Sequence, residues 1–402
     1  MSAPHVPSGP RSVGTPAEGL WVSAELEWVL ARAFGRDASP WEAPLDGRDA
    51  VATGLRLGLL PRIVHALGPD RLAAELGRDA AEDALAAYRE SALASAKLVA
   101  LARLVGDVAS GLGIPVVALK HAALCLSGVS SPAARGAVDA DVLVADADAA
   151  RLIEALAGVG VELSTAPAYE HQHRPLVHRE AGMLELHRSV PGVRVEPGRR
   201  DASLEDLVGH GLATAASPGE PGLLLPRPHV LLAHALAHGL FQHGLEPQAY
   251  PPWKLLADLD DLRRSAGDAL LAEALPLVAE TVNANDARAA WALPALLAAE
   301  GAKEVLARPD SPEARLLAHL VRGALDPDYA ASLRLRSVVA HPSEREGLAG
   351  LLASAWHALA ITPAQARNLY GAKNPLTYAL ALALRPFHLA GKLLRYTLAA
   401  RK

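Results

Sequence analysis

Val138-Asp139-Ala140-Asp141-Val142-Leu143-Val144 is the stretch on which the reading of this chain turns. Two aspartates separated by one residue open an apolar run, and helix-like sequence follows over 146–156. The pattern predicts a short strand leading into a helix. Residues i and i+2 of a strand point to the same face, roughly 7 Å apart along the backbone. Two carboxylates side by side repel each other unless a cation lies between them. Oxygen donors of that kind suit Mg²⁺, which typically takes one or two carboxylates together with substrate phosphates. The bland alternative is that the aspartates only cap the strand at the surface, so the neighbouring sequence has to decide.

On the N-terminal side, the character of the chain changes at Gly111-Leu112-Gly113-Ile114-Pro115. Residues 115–119 then read as a short buried strand and 120–127 as a short helix, with a turn at Ser130-Ser131-Pro132. On the C-terminal side, 147–157 predicts a helix and 159–164 a strand. Residues 173–179 and 183–187 read as a hairpin around Glu180-Ala181-Gly182. Residues 111–196 are thus expected to form a compact α/β unit. Before it, 20–110 is helical in pattern, with a long proline-free run at 80–108 and punctuation at Pro61 and Gly68-Pro69. After Pro197 the helical pattern returns and is expected to continue to the end, making 197–402 a helical domain. Its clearer segments are 231–242, 253–264 and 269–278, separated by proline-rich breaks at 217–228 and 246–252. The fold class expected is α+β, mostly α overall.

Composition agrees with that balance. The 402 residues are 51% hydrophobic but only 4% aromatic, so Ala, Leu and Val carry the burial, which favours packed helices. The 39 Lys and Arg against 44 Asp and Glu leave a formal charge of −5, and no global positive field recommends a general nucleic-acid binder. Cys125 is the one cysteine, so no intrachain disulfide can form, which fits a reducing cytoplasm. Residues 1–19 are rich in Pro, Ser and Gly without an apolar core, and read as a disordered tail rather than a signal or an anchor. No apolar stretch is long enough to span a bilayer.

The α/β unit holds an ordered set of parts: Leu119-Lys120-His121-Ala122-Ala123, Arg135, the Asp139-x-Asp141 strand, Gly160 after the helix, and Glu185-Leu186-His187. Taken in order, this set resembles the nucleotidyltransferase superfamily with the DNA-polymerase-β-like fold. Within it, the set is similar to the uncharacterised bacterial nucleotidyltransferase family found beside peptide natural-product and polysaccharide gene clusters. The similarity covers about 95–190 well and continues weakly through His234, His238 and Trp253 to Asp258. The resemblance implies a small mixed-sheet unit that binds an NTP and Mg²⁺ or Mn²⁺. It implies that Asp139, Asp141 and Glu185 hold the metal ions, that Glu185 also serves as general base, and that Lys120, His121, Arg135 and His187 line the nucleotide. The acceptor (a small molecule, peptide, protein or RNA end) is not readable. His121 stands where the family has glycine, so its side chain either crowds the triphosphate or adds a donor of its own.

Each of these residues also has a structural reading. Glu185 also reads, less readily, as a solvent-facing strand residue, His187 as a partner of a carboxylate or a surface residue, Lys120 as an exposed helix start, and Arg135 as a structural partner for Asp139. Cys125 reads as a small buried hydrophobe. His171, His173 and His178 fit an edge-strand surface better than a metal site. His234 and His238, four apart on one helix face, read as core or pocket-lining residues, since no Glu follows His234 as a zinc-protease motif requires. Asp258 reads as a helix-face residue or a catalytic one. From Lys373 to Lys402 there are six basic residues and no acidic ones. Such a helix either packs on the body with its charges in water or meets an anionic surface or a partner. Two other classes stay open beside the transferase: a catalytically degenerate binding or regulatory module, and a metal-dependent hydrolase using the histidines.

Overall fold

A computed structural model describes residues 22–35, 45–165, 171–198, 200–216, 222–243, 245, 252–326, 329 and 374–399. The N-terminal tail read over 1–19 lies outside the described residues.

Four helices come first: α1 (Ala24–Phe34), α2 (Gly47–Leu57), α3 (Leu60–Leu76) and α4 (Arg78–Leu112). Ser23 and Asp46 cap α1 and α2 by accepting backbone N–H groups, and glycines in the left-handed region end both. The chain kinks within α3 at Gly68, the residue before Pro69. The proline-free run becomes α4, whose buried positions (Ala84, Ser95, Leu98, Leu101, Ala102, Val105 and Ala109 among them) recur at helical spacing.

The sheet follows. β1 (Val116–Ala118), α5 (Lys120–Leu126), β2 (Asp139–Val144), α6 (Asp146–Ala157), β3 (Val161–Leu163), β4 (Leu176–His178) and β5 (Gly182–His187) all fall where the sequence predicts them, with β4 shorter than the 173–179 expected. Beyond α7 (Leu204–Gly209) the structure departs from the expectation that only helices follow Pro197. β6 (Ala213–Ala215) and β7 (Leu223–Pro226) form an antiparallel pair that joins the same sheet. The order is β3-β4-β5-β2-β1-β7-β6, with β2 parallel to β5 and β1 parallel to β7. Sequence reading missed β7 because Leu223-Leu224-Leu225-Pro226 is a short apolar run without alternation, set among prolines.

Register decides which side chains share a face. Asp139 is opposite Met183, Asp141 opposite Glu185 and Leu143 opposite His187. The alternate residues Ala140, Val142, Val144, Leu184 and Leu186 are fully buried. They face α4, which packs on β2 and β5; a Cβ on Gly182 would meet Leu98 of α4. The opposite face carries the carboxylates.

Helices complete the molecule: α8 (Pro228–Leu236), which runs on into a π-helical turn (Ala237–Gln242), then α9 (Pro252–Ala266), α10 (Leu270–Val278), α11 (Ala284–Ala299), α12 (Ala302–Leu306), α13 (Pro312–Leu325) and α14 (Pro375–Ala399). α9 binds the N-terminal helices through Asp260, which is fully buried and pairs with Arg62 of α3 and with Arg263 and Arg264 of its own helix. Arg264 and Arg62 in turn donate to the backbone oxygens of Phe34 and Ala33 at the end of α1. One hydrophobic core runs from α1 through the sheet to α13. On α14, Leu376, Leu380, Leu384 and Phe387 are exposed along one side. Among the described residues no helix is long and apolar enough to cross a membrane.

Candidate active site

Asp141 is the centre of the site. Its carboxylate is 2% exposed. The Lys120 Nζ donates to its Oδ1 at 2.8 Å, and the His187 Nε2 donates to the same oxygen at 2.9 Å. His187 Nε2 also lies 3.6 Å from Glu185 Oε2. One donor atom from each of Asp141, Glu185 and His187 lies within 4.8 Å of the others, close enough for all three to share one cation. His187 is therefore a partner of the carboxylates and not a surface residue. Its buried Nδ1 has no hydrogen-bond partner among the described residues.

The charges follow from this crowding. Burial and the neighbouring Asp141 push the Asp139 carboxyl up to about 6. Burial also works to raise Asp141, but Lys120 and His187 hold it well below the usual carboxylate range. Burial works against the Lys120 ammonium, yet Asp141 and Asp139 keep it above its ordinary value. For Glu185 the His187 contact outweighs burial and lowers it; for His187 the hydrogen bonds to Asp141 and Glu185 outweigh burial and raise it. Three carboxylates thus face one lysine and one histidine, a surplus of negative charge that a divalent cation would relieve.

Lys120 reaches this position from an unusual backbone. It opens α5 with φ at 46°, in the left-handed region that bulky residues avoid. His121, next along, turns inward: its ring is buried, with Nε2 on the Ser95 hydroxyl and the Cys125 sulfur 3.6 Å away. Ser95 in turn donates to the Arg135 carbonyl at 2.9 Å. Burial holds the His121 imidazole neutral, with a pKa of about 3, and pushes the half-buried Cys125 thiol up to about 12.

The guanidinium of Arg135 is engaged by Asp258 of α9, with Nε 2.6 Å from Oδ1 and Nη2 3.0 Å from Oδ2, where the sequence reading had offered Asp139 as the structural partner. Two charges so far apart in sequence give no local signal of their pairing. Lys254, one helical turn before Asp258, was missed for the same reason. It donates to the Gly136 carbonyl at 3.1 Å, and burial lowers it to about 8. Lys120, Arg135, Asp258, His234 and His238 line a cavity with room for about 30 Å³, on the scale of a water molecule rather than a nucleobase. His234 and His238 are both buried, as pocket-lining residues should be. His238 lies in the π-helical turn beside Gly239, where a Cβ would lie 2.4 Å from the Leu255 Cδ2 of α9. Such turns are frequent at functional sites.

The other histidines divide. The ring of His171 lies 5.6 Å from that of His187, so it belongs beside the site and not on an edge strand. His173 Nε2 lies 3.2 Å from Asp146. His178 accepts from the backbone of its own hairpin turn.

Carboxylates gathered on parallel strands beside a lysine are what phosphoryl transfer asks of a protein, which is charge neutralisation and positioning. Residues 45–300, more than half of the chain, match the model of a family described as uncharacterised nucleotidyltransferase, and the chain belongs to that family. No curated protein and no solved structure matches it.

Proposed function

We propose that this chain transfers a nucleoside monophosphate from an NTP to a hydroxyl-type acceptor and releases pyrophosphate, with Mg²⁺ or Mn²⁺. The observation that carries the reading is the register that sets Asp141 opposite Glu185, with Asp139 on the same face. The donor set fits a divalent ion: the carboxylates are hard oxygen ligands, and their charge is incompletely balanced. Asp139, Asp141 and Glu185 would hold the metal, which supplies neutralisation of the triphosphate and of the charge developing on the attacking oxygen. Glu185 takes the acceptor's proton as its oxygen bonds to the α-phosphorus. The bond from that phosphorus to the bridging oxygen breaks, and pyrophosphate leaves with the electron pair. Lys120 bears on the phosphates. His187 fixes the Asp141 oxygen. Arg135, clamped by Asp258, positions the segment leading to Asp139, and His121 contributes through its backbone, since its ring is turned inward. A cytoplasmic location fits the single cysteine.

The test is transfer from labelled NTPs to candidate acceptors with Mg²⁺. The double variant Asp139→Ala, Asp141→Ala should lose at least a hundredfold in rate; unchanged transfer would sink the assignment.

One observation favours a second reading, a degenerate module that binds without catalysis. The Asp141 oxygen is already held by two donors. Calorimetry separates the readings: the transferase must bind a Mg²⁺–NTP complex below millimolar concentration.

A further inference from the structure

The Asp141 Oδ1 accepts from Lys120 and from His187, so both of its lone-pair directions are used. The lysine is placed there at a cost, because its φ of 46° is one that a residue with a Cβ rarely adopts. Nothing about a seven-residue helix requires its first residue to be strained. The strain has a visible result: it aims an ammonium on a side chain 20% exposed at the buried carboxylate that pairs across the strands with Glu185. A divalent ion seated between Asp141 and Glu185 would lie within a few ångströms of that ammonium, and like charges at such a separation repel strongly where water is excluded.

We propose that Lys120 is a resident counter-ion that occupies the cation's place at Asp141, and that the arriving triphosphate draws it away, so that this chain admits a divalent metal together with nucleotide and resists it alone. This rests on the nucleotidyltransferase reading above and goes beyond it. A triphosphate carries oxygens of higher charge density than one carboxylate, and the ammonium moves to them as a point charge on a flexible stem. Its departure frees one of the two lone-pair directions of the Asp141 oxygen, with His187 still on the other, and removes the ammonium's charge from the carboxylate at the moment a metal is needed. The arrangement also explains how an oxygen held by two donors serves a metal site. The coupling is reciprocal: what nucleotide does for metal, metal does for nucleotide.

The experiment is titration of the full chain with Mn²⁺, in the absence of nucleotide, followed by calorimetry and electron paramagnetic resonance. Lys120→Met should bind Mn²⁺ at least tenfold more tightly than the wild-type chain, and adding Asp141→Ala to that variant should abolish the gain. Lys120→Gln keeps a hydrogen-bond donor without the charge and should show the same direction; it serves if the methionine variant does not fold. In the presence of EDTA, inorganic tripolyphosphate should bind the wild-type chain at least fivefold more tightly than Lys120→Gln. Equal Mn²⁺ affinity in wild type and both variants would overturn the counter-ion role while leaving the transferase reading in place. Absence of Mn²⁺ binding in every variant, with and without a non-hydrolysable NTP, would overturn both.

Discussion

His234 shows how much one buried side chain can be made to reveal. It is 3% exposed, its Nε2 has no hydrogen-bond partner among the described residues, and burial with the nearby Lys120 lowers its pKa to about 3. An unfolded histidine takes up its proton near pH 6.5. The unfolded chain therefore gains protons first as pH falls, and folded stability drops through the window from 6.5 toward 3, by up to about 1.4 kcal/mol per pH unit. His234→Leu should flatten that slope. Urea denaturation at pH 7 and pH 5 should show the wild type losing about 2 kcal/mol more than the variant between the two. A slope the same in both would mean that His234 is charged or solvated in the folded chain. At this scale the sequence was informative about chemistry and poor at partners. Asp139 and Asp141 stood out by their spacing and Glu185 by the family resemblance, and the strand register brings the three to one face. The pairing of Arg135 with Asp258, the place of Lys254 and the inward turn of His121 depend on where α9 and α4 pass the segment between β1 and β2, and no local pattern records that.

At the scale of elements, β1, β2 and β5 were legible because apolar runs of strand length ended in turn residues, and α4 because its burial keeps helical period over 35 residues. β6 and β7 were not, since three and four residues carry little period and prolines flank them. Gly106 marks the contact that fastens this late pair. It sits inside α4, and a Cβ there would lie 2.8 Å from the Leu223 Cβ of β7. Two effects oppose each other in Gly106→Ala. Helix propensity alone favours alanine by about 1 kcal/mol. Overpacking against an atom fixed to a strand backbone costs about 1–3 kcal/mol. The net expectation is destabilisation, read as a lower thermal midpoint; a higher midpoint would mean that α4 and β7 can part without penalty.

At the scale of the molecule, the helical flanks on either side of the sheet are tied to each other. α1 and α3 are tied to α9 through Arg62 and the fully buried Asp260, and Glu27 of α1 accepts from the backbone at the start of α12. Removing Asp260 takes away the fully buried carboxylate that Arg62, Arg263 and Arg264 share, although Arg62 keeps Asp261; breaking a buried charge group costs up to about 3–5 kcal/mol. Asp260→Ala should lower the unfolding free energy by an amount up to that range, read as a lower urea midpoint with no change in the slope of the transition, although the residue lies outside the carboxylate cluster. A shift below about 1 kcal/mol would show that the helical flanks hold to each other by packing alone.

The pairing of β1 with β7 has a consequence for how the molecule is made. Val116 and Leu223 are neighbours in the sheet yet stand more than a hundred positions apart in the chain. Contacts of that span close slowly, because a long stretch of chain must be immobilised before they form. On the ribosome, β1, β2 and β5 emerge first and can assemble the carboxylate face, while the far flank of β1 waits with its backbone amides and carbonyls bare until residue 226 has cleared the exit tunnel. For that interval the nascent chain carries an open sheet edge of the kind that pairs with strangers. The order of synthesis therefore lets the strands that carry the three carboxylates come together before the strand that closes the sheet beside them.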